Sequence, residues 1–306
     1  MLGIILGFAS AFAFAFNAIF TRRGVLRASS SYIANISILM GPFFAAIFAG
    51  ISGELSQIFH FPWKAYLYLA LSGIIHFALG RTWAYRSIQL IGANRANIVT
   101  SLSPIVSILQ AMIVLGEKLT PLMFAGVVCS LSSPFVTLFK EHTAAKAVMN
   151  HSQAGREVDR ATLMRGMFYG AGAAFFWGSS FIFIKLGLEN GGTPIAGSMI
   201  AYIGATFAIF PSLWKEENRK EMISADISSL KLALLVGLTT NIAQLFRYLA
   251  LKYGSVIVVT AVIRTTPLGI LLLSFLFNRQ YESFSRWVLL SNALLILGTF
   301  LVLKGT

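Results

Sequence analysis

The chain has 306 residues, 57% of them hydrophobic and only 11% charged, with a formal net charge of +13. Soluble domains carry about 25% charged residues, so an apolar excess sustained along the whole chain points to a polytopic helical membrane protein. It excludes a membrane barrel, whose alternating segments of about ten residues are absent, and it excludes nucleic-acid binding, because the basic residues sit in short loops where membrane topology accounts for them.

A spanning helix needs about 20 mainly apolar residues. On that rule the expected fold is an all-α membrane protein with ten transmembrane helices, at 2–21, 32–52, 65–85, 96–115, 121–139, 165–186, 194–214, 231–251, 255–277 and 286–303. No basic stretch precedes the first apolar run, so no secretory leader is expected. Cys129, the single cysteine, lies in an apolar run; it allows no internal disulfide and signals no metal site. The longest polar segment runs from Lys140 to Arg165 and carries His142, His151, Gln153, Arg156 and Asp159. It is too short and polar to bury a core, so it reads as a linker. The expected organisation is a first five-helix repeat over 1–139, a polar linker over 140–164 and a second repeat over 165–306.

The halves are copies at an offset of 163: Gly3 aligns with Gly166, Gly7 with Gly170, Gly24 with Gly187, Gly41 with Gly204, Tyr85 with Tyr248 and Pro104 with Pro267. Five helices per repeat is an odd number, so the second repeat must enter the membrane from the opposite side. The loop charges agree. Sixteen Lys and Arg residues, among them Arg22, Arg86, Arg156 and Lys215, fall on one side, and five, among them Lys64, Lys118 and Lys185, on the other. The positive-inside rule puts the sixteen in the cytoplasm and both termini outside, as two inverted repeats.

The starts of the first and sixth helices, with Phe175-Phe-Trp177-Gly-Ser-Ser180, lead into a recurring pattern. It runs Tyr85, Gly92, Ser103-Pro104, Gly116-Glu117-Lys-Leu-Thr120, and again Tyr248, Gly254, Thr266-Pro267, Glu282-Ser-Phe-Ser285. The second copy has about two extra residues between Pro267 and Glu282. In these motifs, and over essentially its whole length, the chain resembles the drug/metabolite transporter superfamily, in its EamA-like ten-helix branch. The resemblance implies transport and leaves the substrate open among amino acids, other metabolites, nucleotide sugars and toxic compounds.

The residues narrow that choice. Arg264 lies near the middle of the ninth expected span, where a charge costs about 2.5–3.5 kcal/mol on insertion scales, so it should face a wet or paired interior. All eleven acids fall in loops or at helix ends, leaving Arg264 without an embedded acidic partner. Arg81 and Arg247 lie about five residues from helix ends and could instead snorkel. Asn241, Gln244 and Arg247, three apart, form a donor-rich face. Tyr85, Tyr248, Trp177, Asn17, Ser180 and Thr265 complete the candidate substrate-binding set, although aromatic and hydroxyl side chains in membrane helices also simply pack. Pro104 and Pro267 are expected to bend helices beside the cavity. His76 could relay protons or be merely hydrogen-bonded.

No nucleophile–base pair, metal motif or ATP-binding loop occurs, so neither an enzyme nor a cofactor is expected. The expected function is a secondary transporter of the inner (plasma) membrane. It moves a small anionic or zwitterionic metabolite, of the amino acid or organic acid class, by alternating access. A passive channel and an exporter of toxic compounds are the alternatives. The expected partners are that metabolite and the lipid bilayer, with a homodimer as an open option.

Overall fold

The computed structural model describes residues 1–25, 27–91, 93–149, 159–277 and 286–306. Gly92, linker residues 150–158 and the Glu282–Ser285 motif lie outside them. Among the described residues every regular element is helical. Runs of apolar residues without interior acids leave the backbone no partner in lipid except itself, and the helix satisfies it.

In the first half α1 (Leu2–Val25) is followed by α2 (Ser30–Leu39) and α3 (Gly41–Ile51), which divide at Met40 where Gly41-Pro42 restarts the helix. Next, α4 (Trp63–Gly73) passes through a π-helical stretch, Ile74–Gly80, into α5 (Arg81–Ile91). Then come α6 (Ala93–Thr100), α7 (Ser103–Val114) and α8 (Pro121–Met149). The second half contains α9 (Arg160–Glu189), α10 (Pro194–Leu213), the short polar α11 (Glu216–Ser224), α12 (Ile227–Tyr253), α13 (Val256–Ile263), α14 (Thr266–Phe277) and α15 (Arg286–Lys304).

Among the described residues six helical stretches are long and apolar enough to cross a membrane: Leu2–Thr21, Ser31–Ile51, Arg160–Glu189, Pro194–Leu213, Ile227–Tyr253 and Val256–Leu273. Shorter apolar helices run over Ser103–Val114, Pro121–Ser133 and Leu289–Lys304. The stretches expected at 65–85 and 96–115 are each divided, the first by the π-helical turns and the second by a break at Ser101-Leu102.

Contacts between the halves come in exchanged pairs. α1 lies along α12 as α9 lies along α4 and α5; α14 packs on α1 as α7 packs on α9; α8 and α15 lie along each other. The offset of 163 holds in atomic detail. A Cβ on Gly7 would meet the Val262 side chain at 2.9 Å, and one on Gly170 would meet Val99, the counterpart of Val262, at 3.1 Å. These glycines let the helices approach more closely than a side chain would permit.

Acids clasp the halves together by the same logic. The Glu54 carboxylate accepts from the Ile195 and Ala196 amides, at 2.8 and 3.0 Å, where α10 begins. Glu221 makes a comparable contact in the other direction, accepting from the Ser29 amide and hydroxyl, at 2.8 and 2.5 Å, where α2 begins. Glu117, from the expected family motif, accepts from the Val256 and Ile257 amides at 2.6 and 2.9 Å and caps α13. A carboxylate there meets both unpaired N–H groups and the positive end of the helix dipole. The largest core cluster among the described residues fills the seam between halves with Leu69, Ile184, Leu251, Val256, Ile257, Val259 and Val262. The side chains left uncovered on the outer faces are apolar, such as Phe43, Ile47, Phe207 and Phe300, and they suit contact with lipid.

Candidate functional site

Two helix breaks face one internal space. α6 ends at Thr100 and α7 starts at Ser103-Pro104; 163 residues later α13 ends at Ile263 and α14 starts at Thr266-Pro267. The prolines therefore sit in the first turn of a new helix, where the absent N–H would have had no partner anyway, so each expected bend is a break followed by a restart. Neighbouring hydroxyls return to the ends: Ser107 Oγ donates to the Pro104 carbonyl at 3.0 Å, Thr265 Oγ1 to Val262 and Thr266 Oγ1 to Ile263, both at 2.7 Å. Ser107 and Thr260 also meet at 3.3 Å, tying α7 to α13.

Between the breaks lies a cavity of about 620 Å³, within the usual range for small-molecule sites. Phe14 and Ala18 of α1, Trp177 and Phe181 of α9, Ile263 and Ile270 give it apolar walls. His76, Arg247 and Arg264 supply its strongly polar groups, with Ser103, Ser107, Thr260 and Thr266. Among the described residues no acidic side chain lines it.

Arg264 occupies the α13–α14 break. Its backbone N–H closes α13 onto the Thr260 and Val262 carbonyls, and the residue lines the cavity. Its guanidinium Nε has no hydrogen-bond partner among the described residues. Arg247, on α12, is 2% exposed and its Nε is likewise without a hydrogen-bond partner. Its guanidinium carbon lies 4.9 Å from the Phe181 ring centre, a cation–π contact, and Nη1 reaches within 3.4 Å of His76 Nδ1.

His76 is the hub. It lies in the π-helical stretch, whose wider turns shift its side chain out of the α-helical register, a feature common at functional positions. Nδ1 is 3.0 Å from Ser180 Oγ and Nε2 is 3.2 Å from Gln244 Nε2, while the Trp177 indole donates to the His76 carbonyl at 3.1 Å. Arg264, Arg247, Gln244, Trp177 and Ser180 thus gather at or beside one cavity around a histidine that the sequence left ambiguous.

The other candidates lie elsewhere. Arg81 and Tyr85 line a second cavity of about 510 Å³, with Arg86, Gln89, Lys215 and Asn218. Arg81 Nη1 donates to Ser37 Oγ at 3.0 Å. Asn17 bonds across to α12, donating to the Val236 carbonyl at 3.0 Å and Thr240 Oγ1 at 2.6 Å. Asn241 donates to Gly237 within α12 at 3.0 Å, and the buried Tyr248 hydroxyl meets Ser72 Oγ at 2.9 Å. The Asn17 and Tyr248 bonds hold helices together, whereas the Asn241 bond stays within α12. Ser107, Thr260 and Phe181 were not singled out as site residues, since nothing distinguishes them locally from other hydroxyl and aromatic residues in apolar runs.

Fold and cavity together define a class: a polytopic helical membrane protein of two like halves around an internal cavity that holds fixed cations. The chain belongs to the EamA-like transporter family, which matches residues 1–139 and 164–304. It is therefore a membrane transporter, of a family that is not enzymatic. A solved structure described as "Crystal structure of protein" is similar at a TM-score of 0.77 and 16% identity, covering 99% of this chain and 97% of that one, which is a likeness of fold. No curated protein matches the chain.

Proposed function

We propose that this protein is a secondary transporter of the inner membrane that carries a small anionic or zwitterionic metabolite, of the amino acid or organic acid class, by alternating access. The cavity between the helix breaks holds the substrate. Ten spans in two inverted repeats, both termini outside and the 140–164 linker in the cytoplasm complete the proposal. The carrying observation is Arg264: a fixed cation at a helix break, in a cavity that no acid lines among the described residues, with a guanidinium nitrogen lacking a partner.

A carboxylate supplies what is missing. It can take two parallel hydrogen bonds from a guanidinium, while the apolar walls accept the rest of a small metabolite. A cation about 6 Å from Arg264 would instead be repelled by roughly 3 kcal/mol at an effective dielectric of about 20, about a hundredfold in occupancy. Arg247 adds to that repulsion. Broken helices at the meeting of two like halves are also the usual setting of a carrier's substrate site.

The test is counterflow in proteoliposomes preloaded with L-glutamate, L-threonine or succinate, with tetraphenylphosphonium as the cationic comparison. Saturable exchange of a carboxylate is expected, and Arg264→Ala should lose it. A preference for the cation, or normal exchange by Arg264→Ala, would overturn the substrate class. Non-saturating conductance would indicate a pore.

A further inference from the structure

His76 has a surround suited to two protonation states. Nδ1 faces Ser180 Oγ at 3.0 Å, a hydroxyl that can accept or donate, and Arg247 Nη1 at 3.4 Å, which can only donate, while Nε2 faces the Gln244 amide at 3.2 Å. The neutral imidazole has one lone pair and one N–H, and the Gln244 amide can meet either of them on Nε2, its nitrogen donating to a lone pair or its oxygen accepting from an N–H. One atom of that amide, Gln244 Oε1, is buried with no hydrogen-bond partner among the described residues. A second proton turns both ring nitrogens into donors, and the Gln244 amide then presents Oε1 to Nε2, by a half-turn where its nitrogen faced the ring before. An amide, like a hydroxyl, can serve both states from one position.

The groups facing His76 decide when that proton stays. From α12 come Gln244 and Arg247, with Tyr248 bonded to Ser72 below. α9 contributes Trp177 and Ser180; α5 contributes Arg81, held by Ser37; α10 contributes Tyr202, stacked on Phe77. Arg264 lies across the cavity. Among the described residues this surround has three cations, Arg81, Arg247 and Arg264, and no acid. A protonated imidazole is therefore opposed while the cavity is empty, and opposed much less once an anion covers the guanidinium groups. By linkage the proton must favour the anion to the same extent.

We infer that His76 is a proton-binding site and that the protein co-transports one proton with each anion. The inference rests on the carrier function proposed above. The proton comes from water on the loading side, binds the free imidazole nitrogen of His76 as the anion binds Arg264 and Arg247, and leaves that nitrogen to water on the other side with the anion. A monovalent anion plus one proton leaves the site with the charge it has when empty. Loaded and empty forms then reorient with no net charge moved.

The experiment uses full-length protein in vesicles with a pH-sensitive dye trapped inside. With acid outside, L-glutamate, a monovalent anion at neutral pH, should accumulate up to roughly tenfold per pH unit while the lumen acidifies. A potassium diffusion potential should leave that ratio unchanged. His76→Gln should still equilibrate L-glutamate but not concentrate it, and His76→Asn serves as the second variant if the first fails to fold. Counterflow without pH-driven accumulation, or normal accumulation by His76→Gln, would overturn the inference. If no carboxylate exchanges at all, the carrier reading fails first. The site itself is then judged on histidine-labelled protein, where the His76 signal is assigned by its loss in His76→Gln. Acetate should move its titration midpoint upward by about one pH unit, a tenfold linkage; an unmoved midpoint overturns the proton site.

Discussion

Arg264 and Arg247 differ in what removing them should do. Arg264 projects from a helix break and bonds no side chain among the described residues, whereas Arg247 is buried against Phe181 and His76. Truncating one partner of a desolvated ionic contact costs about 2–5 kcal/mol, so Arg264→Ala should weaken carboxylate binding by roughly thirtyfold or more, read as the rise in counterflow KM. Arg264→Lys keeps the charge but loses the planar fork, and roughly tenfold weaker binding is expected. Arg81→Ala, at the other cavity, should weaken binding far less than Arg264→Ala; an equal loss would place the two in one site. Arg264 was legible in the sequence because a charge inside an apolar run has to be explained. The surround of His76 was not. Ser180 and Arg247 lie 104 and 171 residues from it in the chain, and no local pattern joins them.

Helices were legible as apolar runs, and the repeat was legible because glycines and prolines keep register over 163 residues. What the runs concealed is how the helices break. A proline after Ser103 or Thr266 reads equally as a kink or as a first-turn residue, and only the position of the preceding helix end decides between them. The π-helical turns at Ile74–Gly80 leave no compositional mark at all. The family motif at Glu117 acquires a physical role here, since its carboxylate binds two amides of α13. Glu117→Ala should leave those N–H groups without their charged acceptor and cost about 1–3 kcal/mol. Unfolding in detergent, followed by tryptophan fluorescence, should occur several degrees lower. Glu117→Gln keeps one acceptor oxygen and should fall between. An unchanged midpoint in Glu117→Ala would mean that the cap contributes no net stability.

At the scale of the whole molecule, two halves related by exchange imply two related states. The Glu117–α13 clasp joins the loop after α7, in the first half, to the start of α13 in the second. In the proposed topology it lies on the outer side, with Lys118 and Lys252. If the substrate leaves or enters by that side, α13 must separate there from the α7–α8 loop, and these hydrogen bonds must break in every cycle. Cysteines at Glu117 and Val256, in a background where the natural Cys129 is replaced, test this directly. A short bifunctional thiol reagent should bridge them and stop counterflow, and a reducible reagent should allow recovery on reduction. Recovery separates the effect of the bridge from that of losing the cap, because the cap is absent before and after reduction alike. The bridged protein should still bind L-glutamate from the cytoplasmic side, since only the outer path is held shut. Counterflow that continues at its original rate through a fully bridged population would show that this end never opens, and alternating access across this cavity would be the wrong mechanism.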